Sequence, residues 1–200
     1  ARNIGRLQSK AGPGYSESLA YDGLGRVSTR TIKTDQSYQY DYTYNSIGAI
    51  DTLTYPTSPV PTGQTGDRLR LRYSYSFGTP SQIDDITPAT SRTLWKLNVV
   101  SDFNAPIHES WSGGVIARSS HYDTATQRLM TQQTGTVDAG SARQNLAYAW
   151  DAAGNLLQRR DLNQGLVEDF NYDGLDRVTS STLDGLVNLS VSYDASGNIL

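Results

Sequence analysis

Serine, histidine and aspartate are the side chains here that could form a hydrolytic constellation, and the chain holds 22 Ser, 17 Asp and 2 His. Covalent catalysis needs a nucleophile within hydrogen-bond reach of a base. Neither a Gly-x-Ser-x-Gly elbow nor a Gly-x-x-x-x-Gly-Lys phosphate loop occurs in the sequence. His108 and His121 are the two imidazoles, and both read as strand or loop surface residues. His121 should face away from Tyr122, because neighbours along a strand point to opposite faces. Calcium needs six to eight oxygens, usually from a spacing such as Asp-x-Asp-x-Asp-Gly, and the Asp84-Asp85 pair alone falls short of that. Without cysteine there is neither thiol chemistry nor a disulfide framework. The sequence therefore assigns no catalytic residue, no metal ligand and no cofactor.

The remaining aspartates follow a pattern of another kind. One unit recurs: an aromatic, Asp or Asn, two residues, usually Gly, then Arg or Asn, then an aliphatic. Its clear copies start at Tyr21-Asp22 with Gly25, at Trp150-Asp151 with Gly154, and at Tyr193-Asp194 with Gly197. Tyr172-Asp173 carries Asp176 in place of the glycine, and Tyr44-Asn45 with Gly48 is a further copy. Tyr122-Asp123 runs to Leu129 with one extra residue and no glycine. Tyr75 to Phe77-Gly78 and Phe103-Asn104-Ala105-Pro106-Ile107 read as degenerate copies, and Gly5-Arg6-Leu7 as the tail of another. The aspartate oxygen can accept a backbone N–H two residues on, and the glycine supplies positive φ at the end of the turn. Each unit thus reads as a hairpin built on a type I turn with a Gly bulge.

The strands flanking these turns are equally legible. Tyr42 with Tyr44, Tyr73 with Tyr75, Tyr148 with Trp150, Phe170 with Tyr172 and Val191 with Tyr193 stand two apart, so each pair shares one strand face. Asp outnumbers Glu by 17 to 3 and Arg outnumbers Lys by 14 to 3, which starves helices of their preferred surface residues. Thirteen Tyr, 20 Thr and 18 Gly suit strands and turns instead. The expected fold is all-β, an array of hairpins forming one long antiparallel sheet over 1–200. Eight units of two strands give about sixteen strands, or roughly 75 Å of sheet, which should twist, curl or close. A hydrophobic content of 36% implies a thin core.

Two stretches break the rhythm. Pro56, Pro59 and Pro61 cannot donate to a ladder, so 56–67 is expected to be an irregular loop, and 78–91 a second one. Between them Leu69 to Phe77 is the cleanest alternating strand, with its Arg and Ser face solvated. A net charge of −3 opposes binding to nucleic acid or anionic membrane, and no apolar run approaches the ~20 residues of a membrane span. The chain opens and stops mid-pattern, so it is expected to be a segment of something longer. Bare sheet edges near Ala1 and Leu200 should then make the isolated 200 residues self-associate edge to edge.

The Tyr-Asp units, together with Thr54-Tyr55-Pro56, Trp95 and Phe170-Asn171-Tyr172-Asp173-Gly174-Leu175-Asp176-Arg177-Val178, resemble the RHS/YD-repeat family over nearly the whole chain. The resemblance implies a β-strip spiralling into a hollow shell, as in bacterial polymorphic toxins, insecticidal toxin complexes and the related animal teneurins. It implies a secreted or cell-surface, bacterial setting. The partners it implies are the rest of the shell and an enclosed C-terminal toxin. The family's self-cleaving core contains Asp-Pro, which is absent from these 200 residues, so no catalytic residue is carried over. A second reading is a surface module that binds carbohydrate or protein, since aromatic faces can stack on sugars. Against it, every hairpin needs its tyrosines for cross-strand packing.

Overall fold

A computed structural model describes residues 5–57, 66–136 and 143–200. Sixteen strands lie among the described residues. They are β1 (Ser9–Gly12), β2 (Tyr15–Tyr21), β3 (Val27–Lys33), β4 (Ser37–Tyr44), β5 (Ile50–Thr57), β6 (Arg68–Ser76), β7 (Thr79–Asp85) and β8 (Arg92–Val100). They continue as β9 (Pro106–Trp111), β10 (Ile116–Tyr122), β11 (Leu129–Thr136), β12 (Gln144–Trp150), β13 (Leu156–Asp161), β14 (Leu166–Tyr172), β15 (Val178–Leu183) and β16 (Leu186–Ser190). The one helical element among the described residues is a 3-10 turn at Ser112–Gly114, itself broken by Gly113 at φ 67°. The fold is all-β, as the scarcity of Glu and Lys requires.

Strand order follows sequence order, so every hairpin neighbour in space is also a neighbour in the chain. The chain divides inside β8 into two compact units, Ala1–Lys96 and Leu97–Leu200. In the first, β1 to β8 form an antiparallel meander; in the second, β9 to β16 do the same. β1 is exposed along its length, and so is β16. Light scattering of the 200-residue chain is expected to show association through such edges. A strictly monomeric species at high concentration would refute that expectation.

A single sheet has little interior. Leu71, 8% exposed, is the one buried hydrophobic residue among those described, and no large side chain is fully enclosed. The rings instead lie half-buried on one face: Tyr38, Tyr40, Tyr42 and Tyr44 alternate along β4 with exposed Ser37, Gln39 and Thr43 and half-buried Asp41. Across strands, Tyr42 stands opposite Leu53, Leu53 opposite Leu71, and Tyr73 opposite Ile83. The other face is a polar lattice in which Asp41 accepts from Thr29 and Gln39, and Asp84 from Gln82 and Thr93.

Both expected loops need correction. Tyr55-Pro56-Thr57 belongs to β5 rather than to a loop over 56–67. The register passes from Thr54 opposite Arg70 to Thr57 opposite Arg68, so Pro56 occupies a bulge where no N–H is required. Residues 58–65 of that loop lie outside the described residues. In the expected loop 78–91, Thr79–Asp85 is a full strand. Its Pro80 sits at the register shift opposite Tyr75, again a site that asks for no donor. Phe77 is not a strand residue. With Gly78 it forms a two-residue turn at φ 49° and 81°, and its ring is fully exposed.

Candidate functional site

The repeated turn is the candidate site, and its geometry is the same in five copies. In each, one oxygen of the Asp or Asn accepts the backbone N–H two or three residues on and another four residues on. Asp22 holds Leu24 and Arg26, both at 2.9 Å, and Asn45 holds Ile47 at 3.1 and Ala49 at 3.0 Å. Asp173 holds Leu175 and Arg177, Asp194 holds Ser196 and Asn198, and Asp151 holds Gly154 and Asn155. Gly25, Gly48, Gly154 and Gly197 take φ of 78°, 83°, 107° and 88°, and Asp176 takes 58°. A bulge precedes the aromatic in each complete hairpin, as between Ala20 and Tyr21 or between Asn171 and Tyr172. These bonds hold the carboxyls of Asp22, Asp151, Asp173 and Asp194 below the usual range. The backbone N–H of Arg26 and that of Asn155 lead for the first two, and the side chains of Arg177 and Asn198 for the last two.

Two turns depart from the pattern. Asp123 binds the N–H of Ala125 and of Thr126 and the Thr126 hydroxyl, and Gln127, at φ 61°, stands where the other turns have glycine. The degenerate copy assigned to Phe103 is misplaced by three residues. Ser101 takes the aspartate's role: its hydroxyl accepts the N–H of Ala105 and its carbonyl that of Asn104, with Asn104 at φ 64°. Val100 therefore occupies the aromatic position, and Phe103 lies within the turn. Matching ring to ring concealed this, because a short hydroxyl can cap a turn as a carboxylate does. A left-handed residue with a Cβ costs about 1–2 kcal/mol, part of which glycine returns as unfolded-chain entropy. Gln127→Gly is therefore expected to stabilise the chain by up to about 1 kcal/mol. Gly154→Ala should do the opposite, since its φ is 107° and a Cβ there would stand 3.0 Å from Arg128 Nη2. Urea midpoints moving in the same direction for both variants would contradict this account.

The motif aromatics do more than pack. Each donates its ring hydrogen bond to a carbonyl at, or for Tyr21 two residues before, the start of the second strand of the preceding unit. The Tyr21 hydroxyl donates to Leu7 at 2.5 Å, Tyr44 to Val27 at 2.7, Tyr75 to Ile50 at 2.8 and Tyr122 to Pro106 at 3.3 Å. Tyr172 reaches Leu156 at 2.9 Å and Tyr193 reaches Val178 at 2.8 Å. Trp150 makes the same bond to Leu129 through Nε1 at 2.8 Å. A ring without a donor cannot do this, which accounts for Tyr or Trp rather than Phe at these seven positions.

The Arg or Asn that ends each turn ties in the other direction. Arg26 is pinned by Asp22 at 2.7 Å and lies over the Tyr44 ring at 4.3 Å. Arg177 is pinned by Asp173 at 2.6 Å and lies over Tyr193 at 4.3 Å. Arg128 reaches the carbonyl of Asp151 in the next turn, and Asn155 reaches Asp176 at 2.7 Å. Within each compact unit the signature residues thus form a relay of contacts from hairpin to hairpin, and Val100, which has no ring donor, makes no such tie. The sequence showed the turn but not these ties.

Buried carboxylates were also missed. Glu17, Asp85 and Glu109 are 6%, 2% and 5% exposed, and alternation puts them on the aromatic face. Arg30 at 2.8 Å, Lys10 at 3.0 Å and the Tyr15 hydroxyl surround Glu17. Arg92 meets Asp85 at 2.5 Å, Arg118 meets Glu109, and Arg159 meets Glu168 at 2.5 Å. Hydrogen bonds from Arg30, Tyr15 and Lys10 hold the Glu17 carboxyl down at about 2, and Arg92 with Thr87 does the same for Asp85. These are cross-strand clasps; no group of three or more His, Asp or Glu suited to a metal occurs among the described residues. His121 is exposed, and His108 stands 3.4 Å from Asn98.

No family profile and no curated protein matches the chain. Solved structures do. The crystal structure of TcdB2-TccC3 without its hypervariable C-terminal region superposes with a TM-score of 0.75 over 98% of this chain, at 18% identity. The Photorhabdus luminescens Tc holotoxin pore gives 0.71 over 93% at 17% identity, and TcdB2-TccC3 with Cdc42 gives 0.67 over 84% at 18%. The chain has the RHS/YD-repeat fold. It spans 11%, 11% and 9% of those three chains, so the likeness is to a short run of RHS repeats. No helix among the described residues is long and apolar enough to cross a membrane.

Proposed function

We propose that this segment is a passive wall of an RHS-type shell which encloses a C-terminal toxin and helps to deliver it, with no turnover of its own. The observation that carries the reading is the agreement of 98% of the chain with one run of repeats in TcdB2-TccC3. The residue chemistry supports it: every repeated position is used to turn a hairpin or tie it to its neighbour, and none sets a nucleophile beside a base. On this reading the setting is secreted and bacterial, and the partners are neighbouring repeats of the shell and the enclosed toxin. Limited proteolysis of the full protein that carries this segment tests it. The toxin region should resist cleavage in the parent and become cleavable when Tyr172 and Tyr193 are both changed to Ala. Equal cleavage in both proteins would overturn the enclosure. Toxicity or hydrolase activity of the 200-residue chain alone would overturn the claim of no turnover.

A further inference from the structure

In two repeats the ring of a motif tyrosine is covered by the arginine that closes the preceding turn, and that arginine is fixed by a carboxylate of its own turn. Asp22–Arg26–Tyr44 and Asp173–Arg177–Tyr193 are the two complete cases. The turn from Ser101 to Ala105 has the same backbone bonds, and Tyr122 reaches the carbonyl of Pro106 as Tyr44 reaches that of Val27. Ala105 therefore occupies the position of Arg26 and Arg177. The guanidinium is missing, and the ring beside Tyr122 is that of Phe103. A cavity of about 460 Å³ lies between this turn and the next, lined by Tyr122, Phe103, Asp102, Thr124, Gln127 and His121 among others. That volume lies within the ~300–1,000 Å³ of small-ligand sites.

We propose that this cavity binds a guanidinium group, supplied by an arginine side chain of another polypeptide segment or by a free guanidino compound. The chain itself shows what fits: in both complete repeats the group between carboxylate and ring is a guanidinium. The chemistry of the cavity matches. The Tyr122 and Phe103 rings stand perpendicular with centroids 5.5 Å apart, which puts two aromatic rings beside the gap. Asp102, exposed on the same turn, supplies the carboxylate, while Thr124 and Gln127 add oxygen acceptors. Its lining contains no Lys or Arg, and its one basic side chain is the imidazole of His121. Ala49 is also a small residue at this position, but its turn, Asn45-Ser46-Ile47-Gly48, carries no carboxylate to fix a cation.

NMR titration of the 200-residue chain with N-acetylarginine amide and with its citrulline counterpart tests the proposal. Shifts of the Tyr122 and Phe103 ring signals are expected for the arginine compound and not for the uncharged citrulline one. Ala105→Arg should place the group in the cavity from within and abolish the response while the circular-dichroism spectrum is kept. Asp102→Asn and Tyr122→Leu should each weaken binding by about threefold or more, the lower range of such contacts. Tyr122→Phe should retain binding, since it keeps the ring. An arginine-containing pentapeptide binding more tightly than the free amide points to a polypeptide source, and equal affinities point to a small guanidino compound. Binding of citrulline, or undiminished binding to Ala105→Arg, would overturn the proposal.

Discussion

Tyr172→Ala is expected to lower the stability of the chain by about 2–3 kcal/mol, and Tyr172→Phe by about 1 kcal/mol. The first figure scales the ~3–5 kcal/mol of a fully buried aromatic truncation to a half-buried ring. The second is the net value of one hydrogen bond, here from the ring hydroxyl to Leu156 at 2.9 Å. Tyr38 is the instructive control. It is also half-buried, so exposure alone would make the two equal. Its hydroxyl, however, donates to Asp35 three residues away within one hairpin, at 3.1 Å. Removing Tyr38 loosens a single hairpin, whereas removing Tyr172 parts two consecutive ones. Tyr38→Ala should therefore cost less than half as much as Tyr172→Ala. Urea unfolding of the three variants measures this, and matching midpoints for Tyr38→Ala and Tyr172→Ala would refute the special role of the motif ring.

Acid is expected to unfold the chain in steps between about pH 4 and pH 2. The folded state holds Glu17 and Asp85 at about 2 and depresses Asp22, Asp41, Asp123, Asp151, Asp173 and Asp194. A carboxyl with a lowered folded pKa contributes fully above its unfolded value, near 4, and loses that contribution as pH falls through the folded value. Protonation removes both the ion pairs and the acceptors that set the turns. A denaturation midpoint followed from pH 6 to pH 2 should stay level and then drop below about pH 4. In Glu17→Gln and Asp85→Asn variants the midpoint should begin lower and fall less. A profile flat down to pH 2.5 would show that these carboxylates do not sustain the fold.

The hairpin turns were legible because they are local. Asp22, Gly25 and Arg26 lie within five residues, and their chemistry needs nothing from elsewhere. Gly48, Gly154 and Gly197 followed from the same rule. What escaped was set by neighbours across the sheet. Pro80 read as a loop residue because its position at a bulge depends on the register against Tyr75. Ser101 was passed over because a short hydroxyl stands where the other turns have a carboxylate or amide, and Phe103 offered a more conspicuous ring. The ties from Tyr172 to Leu156 or from Arg26 to Tyr44 join residues 16 or 18 apart through a spacing that varies from unit to unit. A clue to them was present in the preference for Tyr over Phe at a position where packing alone would accept either. The clasped carboxylates gave no sign, since Glu17 and Glu109 sit in strands of ordinary alternation.

The sequential strand order has a consequence for how the chain is made. Each strand finds its partners in the segments just before and just after it, so no contact waits on a distant stretch yet to be synthesised. Closing so short a loop costs little entropy, and low contact order favours fast folding. A hairpin can therefore form soon after it leaves the ribosome, and the ring of the next aromatic then fastens it before the following turn emerges. Growth of this kind adds one unit to an existing edge, as in linear repeat proteins, and nascent edges are covered in the order in which they appear. The register of each new hairpin is thus copied from the one before it.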